Sequence, residues 1–483
     1  MSATQIKAVA TVLVAGLALV MLQLLSRWMP PLQSPDELSH LVRIASLTEG
    51  QWAPVTEPGV STGGSFDLGL AAIARAYMPV IKDRNHPVPA EDQALATSQR
   101  WTGTTLFGEA PGSATVMPLA YAPAALGLAL GRALDWTVLE SYHLARLSSQ
   151  FFCVVLMALA TWIWRPPLLA WGVMLLPMSL FQLGSPVVDG PAHALTLLSL
   201  SLLMRLRVQA STTLALATAT ALLVLVTIRL HMLPLLLIPL WWAVRSLTAS
   251  GRGSVSARVA MPDGVARQLL MASVAAAALC GLWVLWVLGS VVDTRVQRPI
   301  GTGAVAWHYL SHPGDLWAVA SRTLADTDRL VFYAESFVGN LGWLDTRLSE
   351  SAYEILWWGL GALAVLSLPW IQRPSLPSGE RVLLATCALG AVVMAFALML
   401  LTWTPFPADM VEGVQGRYFI APALVLAYAL GDGPAPAAAE RGGGFGPWVQ
   451  IAALIGFAAV SLWFLIPTLI NRYPVWTHGG LWG

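Results

Sequence analysis

Four short polar stretches interrupt a chain otherwise poor in charge: SPDELSH (34–40), GSPVVDGPAH (184–193), FVGNLGWLDT (337–346) and DMVEGVQGRYF (409–419). In the first, Asp36 and His40 are four residues apart, and Glu37 and His40 three, so a helix puts both carboxylates beside the imidazole. A carboxylate next to a His can act as a general base, because proton removal needs a positioned acceptor of suitable pKa. The same residues, Asp36 above all, could instead hold a divalent cation. The bland alternative is a helix start after Pro35, where acidic groups suit free amides and the positive dipole end. His40 and Arg43, the latter sharing a face with Ser39, are candidate substrate contacts.

Asp189 sits between two apolar runs, flanked by Pro186, Gly190 and Pro191. An ionisable group at such a depth is costly and tends to serve function. Its structural alternative is an N-cap for the run that begins at Pro191. Arg229 interrupts a long apolar stretch at VTIRLHML, and Arg417 follows two glycines in GVQGRYF. Arginine offers a forked donor array that matches phosphate oxygens, which makes both residues candidate anion ligands. Gln415 and Tyr418 flank Arg417 and are candidate substrate contacts. Trp343 and Asp345 could serve as a sugar-stacking platform and a hydroxyl acceptor, or simply as an interfacial anchor and a helix cap.

These groups need a scaffold, and the composition says which kind. The 483 residues are 56% hydrophobic and 11% charged, against about 25% charged in soluble domains. Eleven apolar runs approach or reach the roughly 17–25 residues that cross a bilayer. They are Ala8–Leu25, His143–Trp164, Leu168–Leu183, Pro191–Met204, Thr212–Ile228, Met232–Val244, Leu269–Leu288, Tyr353–Trp370, Val382–Trp403, Tyr418–Leu430 and Trp448–Ile470. Trp residues near the ends of these runs fit interfacial belts. The net charge of +1 and the lack of a long basic face argue against a nucleic-acid partner. The expected fold is an all-α polytopic membrane protein.

A twelfth run, Val116–Leu134, decides the sidedness. If it does not cross, the short cytoplasmic loops collect Arg165, Arg205, Arg207, Arg245, Arg252, Arg258, Arg267, Arg373, Arg381 and Arg441, in line with the positive-inside rule. Pro118 and Pro123 also suit a surface helix. The N-terminus is then cytoplasmic, and all four polar stretches lie on the external side. The chain divides into a first span (1–27), an external loop with juxtamembrane helices and the acidic motif (28–142), and a bundle of spans (143–288). A second external loop (289–352), the C-terminal spans (353–470) and an external tail (471–483) follow. Gly431–Gly446 reads as a flexible linker.

SPDELSH, GNLGWLDT and GVQGRYF, in this order and spread from about Pro30 to Phe419, together resemble a family of bacterial integral membrane proteins of unknown function that is similar to the GT-C glycosyltransferases. The resemblance implies a GT-C-like bundle of about eleven spans in the bacterial inner membrane, with an active site facing the periplasm or exterior. It implies a polyprenyl-phosphate sugar as donor and a lipid-linked or glycan acceptor. Asp36 then matches the catalytic acidic residue of the first external loop, as base or metal ligand, with Glu37 beside it and Asp189 as a second acidic residue. Arg417 and Arg229 would bind the donor phosphate. No cofactor beyond an optional divalent cation is implied. A ligase or polymerase using a diphosphate donor, and a lipid-glycan flippase or transporter, are the competing expectations.

Overall fold

The computed structural model describes residues 3–83, 88–250, 261–296, 298–368, 376–431 and 447–473. Arg252, Arg258, Arg373, Arg441, most of the Gly431–Gly446 linker and the tail beyond 473 lie outside the described residues. The protein is all-α, about 74% helical. Its only described sheets are the antiparallel pair Gly63–Asp67 with Thr105–Glu109 and the two-residue pair Asn340–Leu341 with Thr346–Arg347.

Five described helices are long and apolar enough to cross a membrane: Val138–Ile163, Leu230–Thr248, Asp263–Ser290, Ser378–Thr402 and Val449–Arg472. Their outer faces are what a bilayer solvates. Asp263–Ser290, for example, presents Met271, Leu282, Leu285 and Leu288 to the exterior. Shorter apolar helices pack among them. The run Leu168–Leu183, read from sequence as one element, is two helices, Leu168–Met174 and Pro177–Leu183. Pro177 lacks an N–H and its ring collides with a preceding helical turn, so the first helix stops before it. Pro234 acts similarly at 230–236, where the chain is a 3₁₀ helix before Leu237–Ser250.

The central strut is the helix Asp189–Val208. Seventeen of its 20 residues are buried, so it is enclosed on every side. It packs against Val138–Ile163, Thr212–Ile228 and Ile420–Leu430. At 1.5 Å per residue its length is about 30 Å, close to the thickness of a bilayer's hydrocarbon core. Asp189 stands at one end and Arg205 and Arg207 at the other. Arg207 there meets the buried Glu380 at 2.6 Å.

The Val116–Leu134 run forms a 3₁₀ turn, Pro118–Tyr121, and the helix Ala122–Ala133. Twelve residues span about 18 Å, short of the roughly 30 Å hydrocarbon core. This helix lies directly on Val138–Ile163. A Cβ on Gly127 would come within 2.6 Å of the Leu144 carbonyl, and one on Gly131 within 2.5 Å of the Ser141 hydroxyl. Small residues four apart thus let two backbones touch, as at helix interfaces in membranes. The result fixes the first long loop against the bundle, close to where Asp36 must sit.

Candidate functional site

The chain leaves its first helix, Ala3–Ser26, and runs through an irregular segment into the helix Glu37–Thr48. Asp36 is the residue before that helix, but it does not cap it. Its backbone is left-handed (φ 62°, ψ 7°), and its side chain makes no hydrogen bond to the helix's free amides. For a residue other than glycine that conformation costs roughly 1–2 kcal/mol, and such backbones concentrate at functional sites. The turn is held by Glu37 instead. Buried to 1% exposure, Glu37 accepts from the Ser34 amide at 2.9 Å and from the Tyr142 hydroxyl, with Arg146 at 3.6 Å. Arg146 also donates to the Met29 carbonyl at 2.9 Å. Glu37 is therefore a buried strut tying the motif to the helix Val138–Ile163, and it turns away from its neighbour Asp36.

Freed from capping, the Asp36 carboxylate meets Arg417 at 2.6 Å, across 381 positions of sequence. Arg417 is 2% exposed, whereas Asp36 keeps 53% of its side chain open. Arg417 also faces Asp189 at 3.4 Å, and its Nε donates to the Gln415 carboxamide oxygen at 2.5 Å. Asp189 completes the row by pairing through its other oxygen with Arg229. The order Asp36–Arg417–Asp189–Arg229 alternates in sign and draws on three of the polar stretches plus VTIRLHML. Its open end is Asp36.

Each partner is positioned by local structure. Asp189 is the first residue of the central strut. Arg229 follows the last residue of Thr212–Ile228. Arg417 lies on the 3₁₀ turn Gly416–Phe419, which is pressed onto the helix Thr327–Val338. A Cβ on Gly416 would lie 2.0 Å from the Tyr333 carbonyl oxygen, so only glycine allows that approach. The Gly416 amide is then satisfied by the Ser336 hydroxyl at 2.8 Å.

The electrostatics follow from burial and sign. Crowding by protein pushes the Asp36 carboxyl up, but the Arg417 guanidinium, aided by His40, outweighs it and holds the group below its ordinary value. His40 shares the motif's helix and is buried. Burial drives its pKa down to about 4, against the opposing pull of Asp36 and Asp189. Its Nδ1 pairs with the Tyr121 hydroxyl at 2.8 Å.

Among the remaining candidates, Trp343 donates to the Leu32 carbonyl at 2.9 Å, so GNLGWLDT docks on the segment that carries Asp36. Asp345 pairs with Arg472 at 3.0 Å rather than with the Asp36 row. Arg43 is buried and holds the loop after its own helix, donating to the Trp52 carbonyl at 2.6 Å and to that of Gln51 at 3.2 Å. Tyr418 lies under the Arg417 guanidinium, 5.3 Å from ring to Cζ. Among the described residues, no three His, Cys, Asp or Glu side chains converge as a metal site. Between the carboxylates of Asp36 and Asp189 stands the Arg417 guanidinium.

Sequence reasoning passed over Tyr121, Tyr142, Arg146 and Arg472. Arg146 and Gln150 lie one turn apart inside an apolar run, where an ionisable residue signals a buried partner. The tyrosines carry no such signal.

A family model described as "Predicted membrane protein (DUF2142)" matches residues 18–426. The chain belongs to this DUF2142 family. The matched region contains Asp36, Asp189, Arg229 and Arg417, so the whole charged row of this DUF2142 chain falls inside it. No curated protein matches the sequence. With its apolar helices, the DUF2142 chain is embedded in a membrane.

Proposed function

We propose that this protein is a membrane glycosyltransferase on a GT-C-like bundle of about eleven spans. It moves a sugar from a polyprenyl-phosphate donor to the hydroxyl of a cell-envelope acceptor. The observation that carries the reading is the Asp36–Arg417–Asp189–Arg229 row at one end of the bundle, with Asp36 alone open. The reaction breaks the bond between the sugar's anomeric carbon and the phosphate oxygen, and the phosphate keeps the electron pair. A guanidinium fixed beside that oxygen stabilises the charge as it develops; Arg417 is the candidate. The acceptor oxygen bonds to the anomeric carbon, and its proton passes to Asp36.

Sidedness enters through the strut. The row is at the Asp189 end, and Arg205 and Arg207 are at the other. Lys and Arg favour cytoplasmic loops, so the row faces the periplasm or exterior of an inner-membrane protein. Charges collected at one end suit an enzyme better than a transporter, whose sites lie near the midplane between repeats. The experiment is a deletion strain in which lipid-linked sugars and surface glycans are measured. Accumulated donor with an unmodified glycan supports transfer; unchanged pools of both count against it.

A further inference from the structure

An open groove of about 460 Å³ runs beside the charged row, within the roughly 300–1,000 Å³ of ligand sites. One wall is the helix Thr327–Val338, with Asp326, Asp328, Arg329, Phe332 and Tyr333, and the other includes Gln415. Gln415 has two roles in this geometry: it lines the groove and accepts from Arg417 Nε at 2.5 Å. The groove therefore ends one side chain from the proposed phosphate ligand. The Gly416 contact with Tyr333 clamps the two walls together, so groove and row move as a unit.

The groove's chemistry differs from that of the row. Its one cation, Arg329, is already engaged, meeting Asp326 at 3.4 Å and the Val411 carbonyl at 2.7 Å. Asp328 stands exposed at the rim. Phe332 presents a half-buried ring beside it. The Tyr333 hydroxyl is buried in the wall, turned toward the Arg329 guanidinium. Such a lining repels phosphates and suits a molecule that is neutral, rich in hydroxyl donors and able to stack on an aromatic face.

We infer that this groove is the acceptor subsite, and that it holds the neutral, hydroxyl-bearing end of a glycan with its reacting oxygen directed past Gln415. The inference rests on the transferase reading and supplies its acceptor class. The test uses the full chain in nanodiscs. The probe is the neutral oligosaccharide fraction released from the cell's own envelope glycans and end-labelled with an uncharged fluorophore. Anisotropy should report binding to the wild type, and binding about tenfold weaker in Phe332→Ala and in Asp328→Ala. Decyl phosphate binding should be unchanged in both groove variants, which shows that they are folded. No binding to the wild type, or equal binding in both folded groove variants, overturns the inference. Groove-dependent binding by a protein that transfers no sugar leaves the glycan site standing and removes the transferase. Transfer whose acceptor KM ignores both groove variants removes the groove and spares the transferase.

Discussion

The Asp36 carboxylate and the Arg417 guanidinium face each other at 2.6 Å, one half open and the other sealed. A base and a phosphate ligand cannot both act while bound to each other. On the transferase reading, a donor phosphate that engages Arg417 competes with Asp36 and frees its carboxylate for the acceptor. Asp36→Asn should then bind decyl phosphate more tightly than the wild type, by about three- to tenfold, because an anionic competitor is gone. Isothermal titration in nanodiscs measures this. Weaker binding in the variant would mean that Asp36 supports the phosphate site instead of occupying it.

Arg417→Lys keeps the charge but loses the fork that reaches Asp36, Asp189 and Gln415 together. Transfer should fall about 10²-fold or more, with decyl phosphate binding weakened as well. Single-turnover transfer by the purified variant is the check. Activity within a few-fold of wild type would reduce Arg417 to a structural counter-charge.

Glu37 is adjacent to Asp36 in sequence and opposite to it in role. Glu37→Gln should destabilise the fold by about 2 kcal/mol, since it unbalances a buried carboxylate held by the Ser34 amide, Tyr142 and Arg146. Activity per folded molecule should remain comparable to wild type. Thermal unfolding in detergent, alongside transfer normalised to folded protein, separates the two effects. A variant of full stability and no activity would return Glu37 to the chemistry.

How far the sequence reached differs from residue to residue. That the chain is a helical membrane protein was legible because a bilayer demands length and hydropathy, both local properties. The four polar stretches were legible as rare interruptions. Which of their members meet was not, since Asp36 and Arg417 lie 381 positions apart and come together only through tertiary packing. Helix spacing suggested that Asp36 and Glu37 share one face with His40. The left-handed backbone at Asp36, a tertiary effect, turns the first outward while Glu37 goes in. The break before Pro177 was in principle readable, because proline's missing N–H is a local fact.

His40 supplies a pH signature. Its folded pKa is about 4, below the ordinary 6.5, so the unfolded chain takes up the proton first. Stability from this group is present above pH 6.5 and is lost as pH falls toward 4, by about 3 kcal/mol in full. His40→Gln should flatten the fall in melting temperature between pH 7 and pH 5 relative to wild type. Identical profiles would mean that His40 titrates normally in the folded protein.

Sugar transfer from a polyprenyl-phosphate donor by purified Asp36→Asn, normalised to folded protein, tests the central claim most directly. Asn is close in size to Asp, and Asp36 makes no cap that the change could break. Loss of the base should lower the rate about 10²–10⁴-fold while the fold and phosphate binding persist. Wild-type transfer by Asp36→Asn would contradict the assignment of Asp36 as the base and pass that role to Asp189.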